Sequence, residues 1–118
     1  MACSADSVER PIATQYHIER AVWPASSNTA ATVTAETLNL AEEVPLALTY
    51  NGIEYAVMMV TPHNIADFVN GFSVTEGLVK NLSDIRQISI TPVDGGLKAD
   101  IRISADALRT VLARSRCP

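Results

Sequence analysis

The sequence predicts an α+β fold built around a mixed or antiparallel sheet. Two β-prone runs flank Asn51-Gly52, and two more flank Asp94-Gly95-Gly96, which is the pattern of two β-hairpins. Each hairpin is followed by residues with apolar spacing suited to a helix. A further β-prone stretch ahead of the first hairpin supplies an N-terminal strand. The order strand, hairpin, helix, hairpin, helix gives a plan with two or three helices beside one sheet.

Residues 1–14 are small and polar with one proline, Pro11, and read as a mobile N-terminal arm. Thr14 to Trp23 alternates loosely at Tyr16, Ile18 and Val22, as a strand does. Pro24 to Ala35 is rich in Ala, Ser, Thr and Asn without a strong period, and reads as a loop entering a short strand near Thr32 to Thr34. Val44 to Tyr50 and Ile53 to Val60 form the first hairpin. Asn51 and Gly52 tolerate the positive φ that both central positions of a type I′ turn require. The second run, IEYAVMMV, is apolar on both faces apart from Glu54. Such a strand is normally covered on both sides, so a helix, a second lobe or a partner chain is expected on its far face.

Thr61 is placed to cap a helix opening at Pro62, with Ile65, Phe68, Val69 and Phe72 on its apolar face. His63 then falls in the first helical turn, and Gly71 interrupts the helix. Ser73-x-x-Glu76 has the spacing of a capping box that restarts a second helix; the alternative is one bent helix running to about Val79. Ile85 to Thr91 and Leu97 to Ser104 make the second hairpin. Leu97, Ala99, Ile101 and Ile103 alternate with Lys98, Asp100, Arg102 and Ser104, so one face is wet. Ser104 caps a last helix from Ala105 to about Arg114 with Leu108, Val111 and Leu112 as its apolar stripe.

The 118 residues are 47% hydrophobic and 19% charged, enough apolar material to exclude wholesale disorder. Net charge is −4 and the nine Lys and Arg are scattered, which argues against a nucleic-acid partner. The longest uncharged apolar run, Tyr55 to Val60, is far too short to span a bilayer, and the first residues lack the features of a secretory signal. The two cysteines, Cys3 and Cys117, make neither a disulfide scaffold nor a metal knuckle, and suit a reducing compartment.

Few residues suggest chemistry. Cys117 follows a helix end, with Arg114 and Arg116 nearby. The cations favour a thiolate and the helix C-terminus opposes it, so residue types leave the sign open. The plain alternative is a terminal cysteine without a role, and the same holds for Cys3 in the arm. His17 and His63 have no partner at metal-ligand spacing and read as surface residues. Glu76 serves either to orient a group or to end a helix. Glu42-Glu43 reads as a solvated edge, and Met58-Met59 as core filling or a pocket lining.

In order, the chain carries EEVPLAL (residues 42–48), Tyr50-Asn51-Gly52-Ile53, Val57-Met58-Met59, Thr61-Pro62, Asp67-Phe68-Val69, Gly71-Phe72-Ser73 and Thr75-Glu76-Gly77. Over roughly residues 41–104 this series resembles the N-terminal part of the formate dehydrogenase accessory sulfurtransferase family, FdhD. The resemblance implies a cytoplasmic sulfur carrier that takes sulfur from a cysteine desulfurase as a persulfide. The acceptor it implies is the bis-guanine-dinucleotide molybdenum cofactor destined for formate dehydrogenase, with no tightly bound cofactor of the carrier's own. It also implies that residues 15–116 are the N-terminal lobe of a larger two-lobe protein with a deaminase-like second lobe, and that residues 117–118 begin the sulfur-carrying loop. Arg114, Ser115 and Cys117 fit the R-[ST]-x-C start of that loop, which makes Cys117 the implied persulfide carrier. Arg116 and Pro118 stand where the family has glycine, and the loop's second cysteine is absent. An isolated lobe exposes surface that a partner normally covers, so self-association into a homodimer is expected.

Overall fold

The computed structural model describes residues 10–25 and 30–115. It contains six strands, β1 (Ala13–Val22), β2 (Thr32–Ala41), β3 (Val44–Tyr50), β4 (Ile53–Val60), β5 (Ile85–Val93) and β6 (Gly96–Ile103). Two helices, α1 (Ile65–Thr75) and α2 (Ala105–Ser115), complete the expected α+β plan, with one 3-10 turn at Leu82–Asp84.

β3 to β6 make a mixed sheet in the order β4-β3-β6-β5. The two predicted hairpins lie side by side, with β3 and β6 parallel at its centre. Both helices sit on one face. Leu46, Leu48 and Tyr50 from β3 pack there with Ile85, Ile88, Ile90, Leu97, Ala99 and Ile101 against Val69 and Val111. The alternation read along β6 holds, with Ala99 and Ile101 sealed and Arg102 exposed. The strand register shifts between Leu48 and Thr49 and between Ile85 and Gln87.

Asn51 (φ 49) and Gly52 (φ 82) adopt the left-handed turn that their types suit. Asn51 does more than turn the chain. Its side chain accepts from the Ile103 N–H at 2.9 Å and donates to the Ile103 carbonyl at 3.2 Å, while its own N–H donates to Ile101 O at 2.8 Å. The β3–β6 pairing is thereby carried one residue past the end of β3.

The N-terminal part departs most from expectation. Residues 1–9 of the arm lie outside the described residues, but Ala13 and Thr14 already belong to β1. The short strand expected near Thr32 to Thr34 is the start of a ten-residue strand, β2, that runs on to Ala41. β1 and β2 pair in register from Ala13↔Ala41 to Val22↔Thr32 and form a separate two-stranded sheet instead of adding a strand to the main one. Ten residues extend to about 34 Å, and the molecule is 63 Å along its longest axis. The hairpin is tied at its base, where Glu42 N–H donates to Ile12 O at 2.9 Å and Tyr16 Oη donates to Glu42 Oε1 at 3.0 Å. Glu42 is therefore an anchor and not only a solvated edge residue. Hydrogen bonds from Thr14 and Tyr16 hold its carboxyl below the ordinary range.

Three local expectations are corrected. α1 begins at Ile65, not Pro62: His63 N–H closes a tight turn onto Thr61 O at 2.7 Å, and Asn64 (φ 53) enters the helix from the left-handed region. Asn tolerates that region because its short side chain is accommodated there. Second, Ser73 starts no new helix. It is buried inside α1, and Glu76 is the C-cap. Third, α2 buries Ala107 and Val111, leaving Leu108 only partly covered. Ser104 caps α2 as expected, with the Ala107 N–H donating to its Oγ at 3.3 Å. Its hydroxyl donates to Asp84 Oδ1 at 3.0 Å, which lowers the Asp84 carboxyl pKa and joins the 3-10 turn to α2.

Candidate functional site

The residues singled out in the sequence converge in part. Gly71-Phe72-Ser73 and Thr75-Glu76-Gly77 form the last turns and cap of α1, directly beside the last turn of α2. Leu78 N–H donates to Ser73 O and Gly77 N–H to Val74 O, both at 2.9 Å. This is the Schellman pattern, and it requires the left-handed Gly77 (φ 71). Glu76 thus has a helix-ending role, and its carbonyl also accepts from Arg114 Nη1. The same guanidinium nitrogen lies 3.9 Å from Glu76 Oε2. A Cβ on Gly77 would stand 3.4 Å from Arg114 Nη2, so the glycine leaves room for the guanidinium as well as allowing the turn.

Arg114 places its charge at the C-terminal end of α1, the end at which a cation is favoured. This arrangement joins the exits of the two helices through residues 38 positions apart, which no local pattern signals. It also qualifies the expected role of the arginines near the thiol. Of the two cations close to Cys117 in sequence, Arg114 is engaged by Glu76. Arg116, Cys117 and Cys3 lie outside the described residues.

The other candidates are dispersed. His17 is exposed on β1 with its Nδ1 3.3 Å from Thr37 Oγ1, and His63 is exposed ahead of α1. Met58 packs against the core, whereas Met59 is 57% exposed on the opposite face. Among the described residues no group of three or more His, Cys, Asp or Glu side chains is placed to hold a metal. No described helix is long and apolar enough to cross a membrane. An open cleft at the hairpin base is lined by Arg10, Pro11, Thr14, Glu42, Val44 and Pro62, well separated in sequence from the helix exits.

Fold and site together define a two-layer α+β lobe whose last helix is clasped to the cap of the first. Residues 41–117 match the sequence model of the FdhD/NarQ family, and the chain belongs to that family. The match reaches beyond the motif series, through α2 and as far as residue 117. The sulfur carrier protein FdhD of Cupriavidus necator is 43% identical over 77 residues, which cover 65% of this chain and 27% of that protein. The sulfur carrier protein FdhD of Bordetella petrii is 40% identical over 77 residues, 65% of this chain and 28% of that one. The chain therefore spans little more than a quarter of the length of these relatives. Its fold is similar to the crystal structure of a proposed formate dehydrogenase accessory protein from Desulfotalea psychrophila, with a TM-score of 0.54 and 22% identity, covering 79% of this chain and 36% of that one.

Proposed function

We propose that this chain supplies the N-terminal lobe of a cytoplasmic sulfur carrier serving formate dehydrogenase, with Cys117 as the persulfide carrier. The observation that carries this reading is the family match over residues 41–117, whose last residue is that cysteine. The Cys117 thiolate attacks the outer sulfur of a persulfide on a cysteine desulfurase. A new S–S bond forms on Cys117, the donor's S–S bond breaks, and the donor cysteine leaves as a thiolate. No net oxidant is consumed. The acceptor is the bis-guanine-dinucleotide molybdenum cofactor, and delivery as sulfide draws two electrons from a thiol reductant. Arg114, three residues before the cysteine, lies in the last turn of α2 and is held at Glu76.

The test is sulfur acceptance. Incubated with a desulfurase and sulfur-labelled cysteine, the wild-type chain and Cys3→Ser are expected to take up label that dithiothreitol releases. Cys117→Ser is expected to take up none. Label of equal extent on Cys117→Ser overturns the assignment.

A second reading rests on a separate observation. Val57 is 66% exposed and Met59 57% exposed, on the face of the sheet away from both helices. By register they stand beside Ala47 and Pro45. The sequence led us to expect cover on both faces of β4, and among the described residues only one face has it. With relatives about four times as long as the matched segment, we take the remainder of an FdhD-type polypeptide as the occupant, which makes the chain an assembly lobe. A separately produced C-terminal portion of such a relative is expected to protect β4 amides from exchange, and Val57→Asp with Met59→Lys to abolish that protection. Unchanged exchange at β4 in the wild-type mixture removes this reading.

A further inference from the structure

We propose that Asn51 is a self-modification site of this lobe: its side-chain amide is hydrolysed through the Gly52 nitrogen whenever its clamp on Ile103 opens, and the acid left behind cannot restore the clamp.

The chain holds two Asn-Gly pairs, Asn51-Gly52 in the first hairpin and Asn70-Gly71 within α1. Glycine lacks the side chain that would shield its own amide nitrogen, so that nitrogen can reach the Asn side chain before it. The Gly52 nitrogen, deprotonated by solvent base, attacks Asn51 Cγ. A C–N bond forms, the Cγ–Nδ2 bond breaks, and the displaced nitrogen takes a proton from solvent and leaves as ammonia. Water then opens the cyclic imide at either carbonyl, giving aspartate or isoaspartate. Nothing is oxidised or reduced.

The folded turn resists the first step in two ways. Asn51 sits in the left-handed region (φ 49), where ψ is about +47°. Tetrahedral geometry at Cα then turns Cβ nearly anti to the Gly52 nitrogen, whereas the imide needs the two on the same side. The side chain is also tied down, with Oδ1 accepting from the Ile103 N–H at 2.9 Å and Nδ2 donating to the Ile103 carbonyl at 3.2 Å. Reaction therefore requires the turn to rotate and both bonds to break. That opening is local, because Asn51 and Gly52 are exposed at the hairpin tip. Asn70 is held differently. It lies mid-helix, where α1 buries Val69 and Ser73 around it, and its Oδ1 is shielded from solvent. The Gly71 N–H belongs to the helix ladder, so α1 must unwind before this pair can react.

The product cannot close the clamp. Aspartate has no N–H to give the Ile103 carbonyl, and sets a carboxylate oxygen against it. Isoaspartate adds a carbon to the main chain inside the turn, which lengthens the connection that sets the Tyr50↔Ile53 pair. Either product loses the side-chain link that carries β3 onto β6.

The proposal is independent of sulfur transfer and is tested on the whole chain, by peptide mapping with mass spectrometry after incubation at mildly alkaline pH. In the folded chain Asn51 is expected to gain the mass of an amide-to-acid conversion while Asn70 stays intact. In guanidinium chloride both are expected to convert at similar rates. Asn51 should then react at least roughly tenfold faster than in the folded chain, where only the open turn reacts. Conversion adds a negative charge, so ion exchange isolates the modified chains without a variant. That fraction is expected to exchange its Ile103 amide faster, and to unfold at lower urea concentration, than the unmodified fraction. Asn51→Asp is expected to do the same. Conversion of Asn70 as fast as Asn51 in the folded chain overturns the proposal, because global unfolding would then be the route. So does an Asn51 that converts only in denaturant, or a modified fraction whose Ile103 exchange and urea midpoint match those of the unmodified one.

Discussion

Gly96→Ala is expected to destabilise the lobe by about 3 kcal/mol, a cost typical of overpacking where a backbone must move. Gly96 opens β6 immediately before the Leu46↔Leu97 pair at the centre of the sheet. A Cβ there would run into the carbonyl oxygen of Pro45 and stand 3.1 Å from Pro45 Cγ. Neither neighbour can swing aside, because one is main chain and the other a ring fixed to it. The parallel contact between β3 and β6 must open instead, and Leu46 and Leu97, at 0% and 2% exposure, lie next to it. Gly95→Ala is the informative control. Gly95 has the positive φ of 83 but no atom within 4 Å of its would-be Cβ, so only backbone strain of roughly 1–2 kcal/mol applies. Urea denaturation of the two variants should rank Gly96→Ala well below Gly95→Ala. The opposite order would mean that turn conformation, not the close approach of the strands, limits this hairpin.

That contrast also shows which features a sequence makes readable. The two hairpins were legible because their turns depend on the residues within them: Asn51-Gly52 and Gly95 take the φ values their types allow. The helix following each hairpin was legible from its apolar spacing. β2 was not, because most of its residues are exposed on both sides, so burial imposed no alternation on TVTAETLNLA. Among the described residues its partner is β1, and the sequence between the two strands carries no strong two-residue hairpin signal. The start of α1 was misplaced because Thr61-Pro62 has the composition of a cap, while the chain instead closes a turn at His63 and enters the helix through Asn64. At the helix exits, Glu76 was noticed as an acid among apolar residues, yet its link to Arg114 depends on the packing of two helices and has no local signature. Cys117 was read from a short motif, and the described residues end two positions before it.

Tyr50→Ala is expected to cost about 4 kcal/mol, in the range of large buried aromatic truncations, and Tyr50→Phe only about 1 kcal/mol. Tyr50 is 0% exposed at the end of β3, and its ring meets Tyr55 edge to face at a centroid distance of 5.7 Å. Truncation to alanine removes this ring from beneath α1 and takes the partner of Tyr55 with it. The phenol contributes separately. Ser73 Oγ donates to Val69 O at 2.7 Å, so its single proton is spoken for. The 2.8 Å contact between Tyr50 Oη and Ser73 Oγ must then run from tyrosine to serine. Tyr50→Phe leaves only an acceptor lone pair on Ser73 unused, whereas Ser73→Ala strands a buried O–H and is expected to cost more than Tyr50→Phe. Burial raises the Tyr50 pKa above its ordinary value of 10.0, opposed in part by the Ser73 hydrogen bond. A raised folded-state pKa means the folded protein holds that proton more tightly than the unfolded chain. The corresponding stability is complete below about pH 10 and is lost as pH rises through the folded value. Alkaline denaturation should therefore be steeper for the wild type than for Tyr50→Phe. Superimposable alkaline limbs would mean that Tyr50 ionises in the folded state as it does in the unfolded chain.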